Sequence, residues 1–571
     1  MARRCLAGVT GLAMALAWGC GDDAGASADA AAVAPPDVGE ALDVAGEDSA
    51  ADALAAVDGG SSADAVAPDT DLPDVGPRLT PDAVATPDAG PSFPEPPDLA
   101  ARGWLEARSI LHLHSAYSKD GCDDAGLDEQ GNPNAACVAR LRASICQERL
   151  DYVFLSDHPS HMKDHPFEAL LYYDAAAGDE LVAGPHGPWV NRLQCAGGHV
   201  ARLFVGYEAT HTMPLGLERH LEPLELTKTN ISTDKGDDDL AAQQEAVAAA
   251  KAAGGAVFIA HTEEGNIPLE RLLALPLDGM EIYNLHANFL TSFTVGFDRL
   301  LSLEPWLVEG AGVKPAADLA LLAILDLYPE KALDKWRRVT AVRRATAIAG
   351  TDLHENVNLD NLCGPGATFQ LLCEGLKADY PSLVALLEKG GPVILPDGER
   401  LDAYERGFRW MHNRLLVPDL TDEAAREALL EGRSLVIFTL LGDASVDLVA
   451  SGVAVTEVGG EVPLGAVDAL WVRLPGQPEP GAGATWTAAD VAASPPALRA
   501  VLWRSTEEET TAVAEWTTFG ETHALVPPGP GAYHLEVSLT PRHLSIVLPD
   551  AEILAEKEYR WIETNAIRVL P

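Results

Sequence analysis

The sequence predicts an α/β fold in which metal-ligating side chains gather at one end of a set of parallel strands. Three observations predict it. Short β-branched or aromatic apolar runs recur from residue 102 onward, each ends on His, Asp or Glu, and helical stretches lie between them. Parallel strands joined by helices, with functional groups at the strand C-termini, belong to an α/β barrel or a doubly wound sheet. The barrel is preferred because so many strand ends contribute.

Before the first strand come two segments of different character. Arg3 and Arg4 precede an apolar run from Leu6 to Trp18 that ends at Gly19 and Cys20, as in a bacterial export signal. The run is too short to span a membrane stably. Leu16 to Cys20 resembles the lipobox of bacterial lipoproteins, so residues 1–20 are read as a lipoprotein signal peptide with Cys20 as lipid anchor. An ordinary secretory signal is the alternative, and either places the chain in the cell envelope, facing the periplasm or the cell surface. Residues 21–100 are nearly all Ala, Asp, Pro, Gly, Ser and Val, with Arg78 the only basic side chain. Such a segment buries too little apolar surface to offset its chain entropy, which predicts a disordered acidic tether. The formal charge of −46 over 571 residues comes partly from this tether. It argues against nucleic acid as a partner, and leaves the N-terminal lipid as the only membrane contact.

Residues 101–433 carry the repeated pattern. Ser109 to Leu113 leads into His112 and His114, and Asp151 to Leu155 into Asp157 and His158. Leu203 to Tyr207 ends on Glu208, and Ala256 to Ala260 on His261. Met280 to Tyr283 carries Glu281 and Asn284, and Ala347 to Gly350 ends on Asp352 and His354. Asp239 to Ala253 reads as a helix stopped by Gly254 and Gly255. A single His-x-His among 16 histidines is a weak signal, because both imidazoles on one strand face also suit a surface. Surface residues have no reason to follow an apolar strand every time, so the joint pattern points to a site.

The order His112-Leu-His114-Ser115, Asp120-Gly121, Asp157-His158, Gly206-Tyr-Glu208, Ala260-His261 and Gly350-Thr-Asp352-Leu-His354 resembles the PHP (polymerase and histidinol phosphatase) superfamily over roughly residues 105–375. Ala428 to Arg433, Gly531 to Tyr533 and Trp561 to Ile567 look like the tail of its CehA/McbA-type metallohydrolases. The resemblance implies a distorted (β/α)7 PHP barrel followed by a small C-terminal β-sandwich-like domain, where residues 434–571 read as short strands between Gly and Pro turns. It implies two or three divalent ions. His112, His114, Glu208 and Asp352 would hold one, Glu208 would bridge to a second on His261, and Asp120, His158 and His354 would hold a third. Asp157 is expected to orient a neighbour. The family expects a further histidine after Glu208; His211 and His220 both qualify, and His220 is preferred by its offset.

Imidazole and carboxylate donors together suit Zn, Mn or Fe. Ions so held lower the pKa of bound water towards about 7 and offset charge on a phosphoryl oxygen, which predicts a phosphoesterase that uses a metal-bound hydroxide. Asp157, His158 or Glu281 is the candidate general acid, and Lys163, Arg343 or Arg344 the candidate phosphate grip. The substrate class is a small-molecule ester. A carboxyl-ester or carbamate hydrolase on the same site is the alternative, and a non-catalytic surface binding lipoprotein the second. Cys122, Cys137, Cys146, Cys195, Cys363 and Cys373 are an even set, which in an exported protein predicts disulfides, Cys363 with Cys373 first. The cysteine-rich stretch from Gly121 to Cys146 reads as either a stapled lid or a stabilising insert.

Overall fold

The apolar runs that end on ligating side chains form strands. The computed structural model describes residues 93–123, 125–209, 211–221, 240–263, 267–288, 318–319, 322, 330–358, 363, 370–395, 398–481, 484–547 and 552–571. The signal, Cys20 and nearly all of the tether fall outside them. Strands β1 to β5 are Leu105–Ile110, Tyr152–Phe154, Glu180–Gly184, Gly187–Gln194 and Val200–Phe204. Strands β6 to β11 are Thr212–Leu215, Ala256–Ile259, Gly279–Asn284, Thr346–Gly350, His412–Val417 and Ser434–Ile437.

β1 pairs in parallel with β2, and β2 with β5; β10 runs antiparallel to β1 on its other side. β6 pairs antiparallel with β7, and β8 in parallel with β9. Backbone hydrogen bonds connect these groups: Leu217 N donates to Val205 O (2.7 Å), Asp278 N to Val257 O (2.9 Å), Thr346 N to Asp278 O (2.8 Å) and Asp352 N to His112 O (3.0 Å). The course β1, β2, β5, β6, β7, β8, β9 thus returns to β1.

Alternation along the strands divides the core. Ala107 and Leu111, Tyr152 and Phe154, Met213 and Leu215, Ala256 and Phe258, and Ile348 pack into one cluster. Their neighbours Ile110, Val153, Val257, Ile259 and Ala349 pack into another. Both faces are apolar because both are covered, as expected of parallel strands flanked by helices. Phe154 and Phe204 stack at 4.4 Å between centroids.

Helix α1, Ala135–Gln147, starts where the Asn134 side chain accepts from Ala136 N and Cys137 N. Helix α2, Leu240–Ala252, stops near Gly254, whose φ of +89° needs glycine. Helix α3 is Glu330–Val342, α4 is Tyr404–Trp410 and α5 is Asp422–Glu431. α5 combines a Thr421 cap, Asp422 and Glu423 in its first turn, and Gly432 at φ +72° closing onto Ala428 O.

The sheet continues past residue 434. β11 pairs with β10 and with the C-terminal strand Tyr559–Thr564, so strands from both sides of that position share one sheet. A separate four-stranded sheet includes Asp447–Gly452 and Val467–Arg473. Among the described residues no helix is long and apolar enough to cross a membrane.

Disulfides join Cys122 to Cys137, Cys146 to Cys195 and Cys363 to Cys373, the last as expected from sequence. Cys146–Cys195 spans 49 residues and ties the end of α1 to the end of β4. Closing a loop of that size stabilises by about 4 kcal/mol on the chain-entropy model. The Cys146→Ser, Cys195→Ser double variant is expected to lose about that much unfolding free energy in guanidinium melts. A loss below about 1 kcal/mol would show that this bridge constrains little of the unfolded chain.

Candidate metal centre

Six strand ends meet at one place. β1 stops at Ile110, and the chain stays extended beyond it because Leu113 N donates to Ser156 Oγ (2.9 Å) and His114 N to Leu353 O (3.0 Å). His112 and His114 are both fully buried, with Nε2 atoms 3.2 Å apart.

Glu208 and Asp352 face this pair. His112 Nε2 lies 3.3 Å from Glu208 Oε2 and 3.2 Å from Asp352 Oδ1, and His114 Nε2 lies 3.5 and 3.2 Å from the same two oxygens. The other oxygen of Glu208, Oε1, is 3.1 Å from His261 Nε2. The two oxygens of Glu208 therefore face different histidines. A second set lies alongside: His158 Nε2 is 3.4 Å from Asp120 Oδ2, His354 Nε2 is 3.5 Å from Asp120 Oδ1, and His114 stacks on His354 with centroids 3.7 Å apart. Within each of two groups, His112/His114/Glu208/Asp352 and His114/Asp120/His158/His354, the donor atoms all lie within 4.8 Å of one another.

His261 and Asp352 adopt left-handed backbone, φ +53° and +52°. Non-glycine residues are held there against a steric cost, and such strain collects at functional sites.

A shell of hydrogen bonds aims the donors. Glu281 Oε1 lies 2.9 Å from His112 Nδ1, and its Oε2 accepts from His261 N at 2.9 Å, so one buried carboxylate orients two of the histidines. Asp157 accepts from both Ser115 N and Ser115 Oγ at 2.5 Å. Ser118 Oγ donates to Asp120 Oδ1 (2.7 Å) and lies 3.1 Å from His114 Nδ1. Tyr404 Oη donates to His114 O at 2.9 Å.

Electrostatics follow from two buried carboxylates. Burial works against the charged form of Glu208, yet His261, His112 and His114 hold it well below the usual carboxylate range. Asp352 is likewise held low, by His112 foremost, against burial. Burial alone would lower the histidines. The Asp352 and Glu208 carboxylates beside His114 outweigh this and raise it to about 9, and Asp352 and Glu281 raise His112 well above its usual value. Burial and the neighbouring His114 push His354 down to about 3, so it is neutral. The carboxylates thus demand positive charge, which protons on the histidines supply in the absence of an ion. Asp352 Oδ1 and His354 Nε2 are buried and lack a hydrogen-bond partner. Buried polar atoms are normally satisfied, so unpartnered donors pointing into an anionic cluster fit a metal.

The structure separates the expected residues. His112, His114, Asp120, His158, Glu208, His261, Asp352 and His354 come together; His220 does not. Its Nε2 lies 2.8 Å from His165 O and its ring packs edge-on against Phe167. His211 is the histidine beside the centre, its ring 5.8 Å from that of His261, with φ +71°. The preference for His220 is therefore corrected: offset along the chain ignores the tight turn that places His211 next to β7, where Ala260 N donates to His211 O (2.8 Å). Glu281 and Asp157, expected among the candidate acids, are fully buried; Glu281 contacts His112 Nδ1 and His261 N, and Asp157 accepts from Ser115 beside His114. Lys163 pairs with Asp164 at 3.0 Å, and Arg343 donates to the carbonyls of Leu272, Leu275 and Leu277 before β9 begins, at the far end of that strand from Asp352.

His286 and Glu263 were not singled out from sequence. His286 lies edge-on to His354 at 5.6 Å, and Glu263 Oε1 lies 3.6 Å from His261 Nδ1. His286 sits two residues after the β8 end and Glu263 two after His261, so strand-end position was the available signal.

Gly350 shows how tight the packing is. A Cβ there would overlap Glu281 Oε1 and stand 2.9 Å from His112 Cβ. Gly350→Ala should push Glu281 off His112 and weaken metal retention about 10- to 100-fold in a chelator competition. Unchanged retention would show that His112 does not need this carboxylate.

No family model matches the chain, and no curated protein matches it. Among solved structures, it bears a likeness to a two-domain protein containing a predicted PHP-like metal-dependent phosphoesterase from Bacteroides vulgatus, at 13% identity and a TM-score of 0.26, over 76% of this chain and 91% of that one.

Proposed function

We propose that this chain is a metal-dependent hydrolase of phosphate esters, of the PHP type, built on a distorted barrel whose strands run β1, β2, β5, β6, β7, β8, β9. One observation carries the reading: Glu208 turns its two oxygens to separate histidines, beside an Asp352 oxygen and a His354 nitrogen with no hydrogen-bond partner. His112, His114, Glu208 and Asp352 would hold one ion, His261 with Glu208 a neighbour, and Asp120, His158, His354 and His114 another. Ions held there would act as Lewis acids that lower the pKa of water and offset charge on an ester oxygen. The chain itself supplies orientation: Glu281 holds His112 and the His261 backbone, Asp157 holds Ser115 beside His114, and the neighbouring histidines keep the buried carboxylates anionic against the cost of burial. Export and lipid anchoring through Cys20, with an acidic tether to residue 100, complete the proposal and place the site outside the cytoplasm.

One observation favours a second reading. Two of the three cations expected to grip a phosphate are engaged elsewhere, Lys163 with Asp164 and Arg343 with backbone carbonyls. A carboxyl ester or carbamate needs no such grip. Elemental analysis of the purified chain, followed by assays on bis(p-nitrophenyl) phosphate and 1-naphthyl acetate, decides among the readings. Two or three transition-metal ions with phosphodiester turnover is the expected result. Ester turnover alone would favour the second reading, and absence of bound metal would leave a binding protein.

A further inference from the structure

We infer that Asn413 and Asn565 are positioning residues for the metal centre, standing in for a strand along the edge of β9 that β8 does not cover. The inference rests on the metal-site reading and goes beyond it, because neither residue touches a ligand.

β9 delivers Asp352 and His354, and β8 runs along one of its edges. Residues two apart in a strand turn their backbone groups to the same edge, so Ala347 and Ala349 share the opposite one. Side-chain amides fill it. Ala349 N donates to Asn413 Oδ1 at 2.9 Å, and Asn413 Nδ2 donates to Ala349 O at 2.7 Å. Ala347 N donates to Asn565 Oδ1 at 2.7 Å, and Asn565 Nδ2 donates to Ala347 O at 3.0 Å. Each carboxamide thus closes a two-point ring with one residue of β9, as a neighbouring strand would. Asn565 Nδ2 also reaches Ser434 O at 2.9 Å, which ties it to the first residue of β11. Both asparagines are about as buried as the core, at 1% and 2% exposure, so lost amide pairs would not be replaced freely by water.

Backbone contact resumes just beyond this pair, where Asp352 N donates to His112 O and His114 N to Leu353 O. The two amides therefore hold β9 at the separation from which its end can meet the end of β1. Asn413 comes from β10, and Asn565 from the turn after the C-terminal strand Tyr559–Thr564. The last ten residues of the chain in this way help set where Asp352 stands.

The test uses the full-length chain, cobalt(II) as probe, and the variants Asn413→Ala, Asn565→Ala and Trp561→Phe. The last removes a buried hydrogen bond from Trp561 Nε1 to Gly442 O in the same C-terminal strand without touching β9. Cobalt affinity is expected to fall about 10- to 100-fold in the asparagine variants, with an altered d–d spectrum, and to stay at the wild-type value in Trp561→Phe. Hydrogen exchange of the metal-free chain should show the Ala349 amide deprotected in Asn413→Ala and the Ala347 amide in Asn565→Ala. Wild-type cobalt affinity in both asparagine variants would overturn the inference, and so would an equal loss in Trp561→Phe. If the wild-type chain itself binds no cobalt, the metal reading fails; unchanged exchange at Ala347 and Ala349 would then show that the clamp fails as well.

Discussion

Replacing His112 and His114 together by alanine should remove bound transition metal and lower phosphodiester turnover by a factor of about 10³ or more, some 4 kcal/mol of transition-state stabilisation. The two imidazoles meet Glu208 and Asp352 at 3.2–3.5 Å, and His114 also belongs to the second group of donors. Their loss therefore disturbs both groups at once. The variant should also lose stability, because Glu208 and Asp352 lose two of the histidines that hold them anionic. Circular dichroism and elemental analysis measured beside the assay separate the two effects. Full turnover in the double variant would sink the metal-centre assignment.

The second large effect is a dependence on pH with opposite signs in the metal-free and metal-loaded chain. In the metal-free chain the His114 pKa is raised to about 9, and those of His112 and His261 are raised well above the usual value. A histidine raised on folding stabilises fully below its unfolded pKa near 6.5, and that contribution is lost as pH rises through its folded value. Stability from His114 should therefore fall between about pH 6.5 and 9. His354 and His412 are both lowered to about 3, chiefly by burial. They act in the other direction: protons taken up only by the unfolded chain cost stability as pH falls below 6.5. Melting temperature of the metal-free chain should thus peak near pH 6.5. Metal binding must displace the protons on both His112 and His114, so affinity should rise at least about tenfold per pH unit up to about 9. Calorimetric titration across pH 6–10 reads both trends. A metal affinity flat across that range would mean that the histidines are not the ligands.

Much of the centre was legible in the chain because strand-end chemistry is local. An apolar run of four to six residues followed by His or Asp states both that a strand exists and where its polar end lies, and β7, β8 and β9 match their expected spans to within a residue at each end. β1 is shifted: it begins at Leu105 and ends at Ile110, because pairing with β10 supplies hydrogen bonds that the apolar pattern does not reveal. The hairpin β3–β4 went unread, since Gly184, Gly187 and Pro188 interrupt its alternation. The choice between His211 and His220 failed for a related reason. A four-residue strand, β6, folds His211 back onto β7, and no periodicity announces a strand so short.

Composition and local pattern were enough to determine that the chain is α/β, that His112 and His114 open a series of polar strand ends running to His354, and that six cysteines are available for pairing. Tertiary structure decided the rest. It turned the two oxygens of Glu208 to different histidines, set Glu281 against His112 and Asp157 against Ser115, placed His220 against His165 and Phe167, and set Asn413 and Asn565 against β9. The physical reason is distance along the chain. His112 and Asp352 are 240 positions apart, yet their nitrogen and oxygen stand 3.2 Å apart, and which oxygen faces which nitrogen depends on packing that forms only when every strand between them is in place.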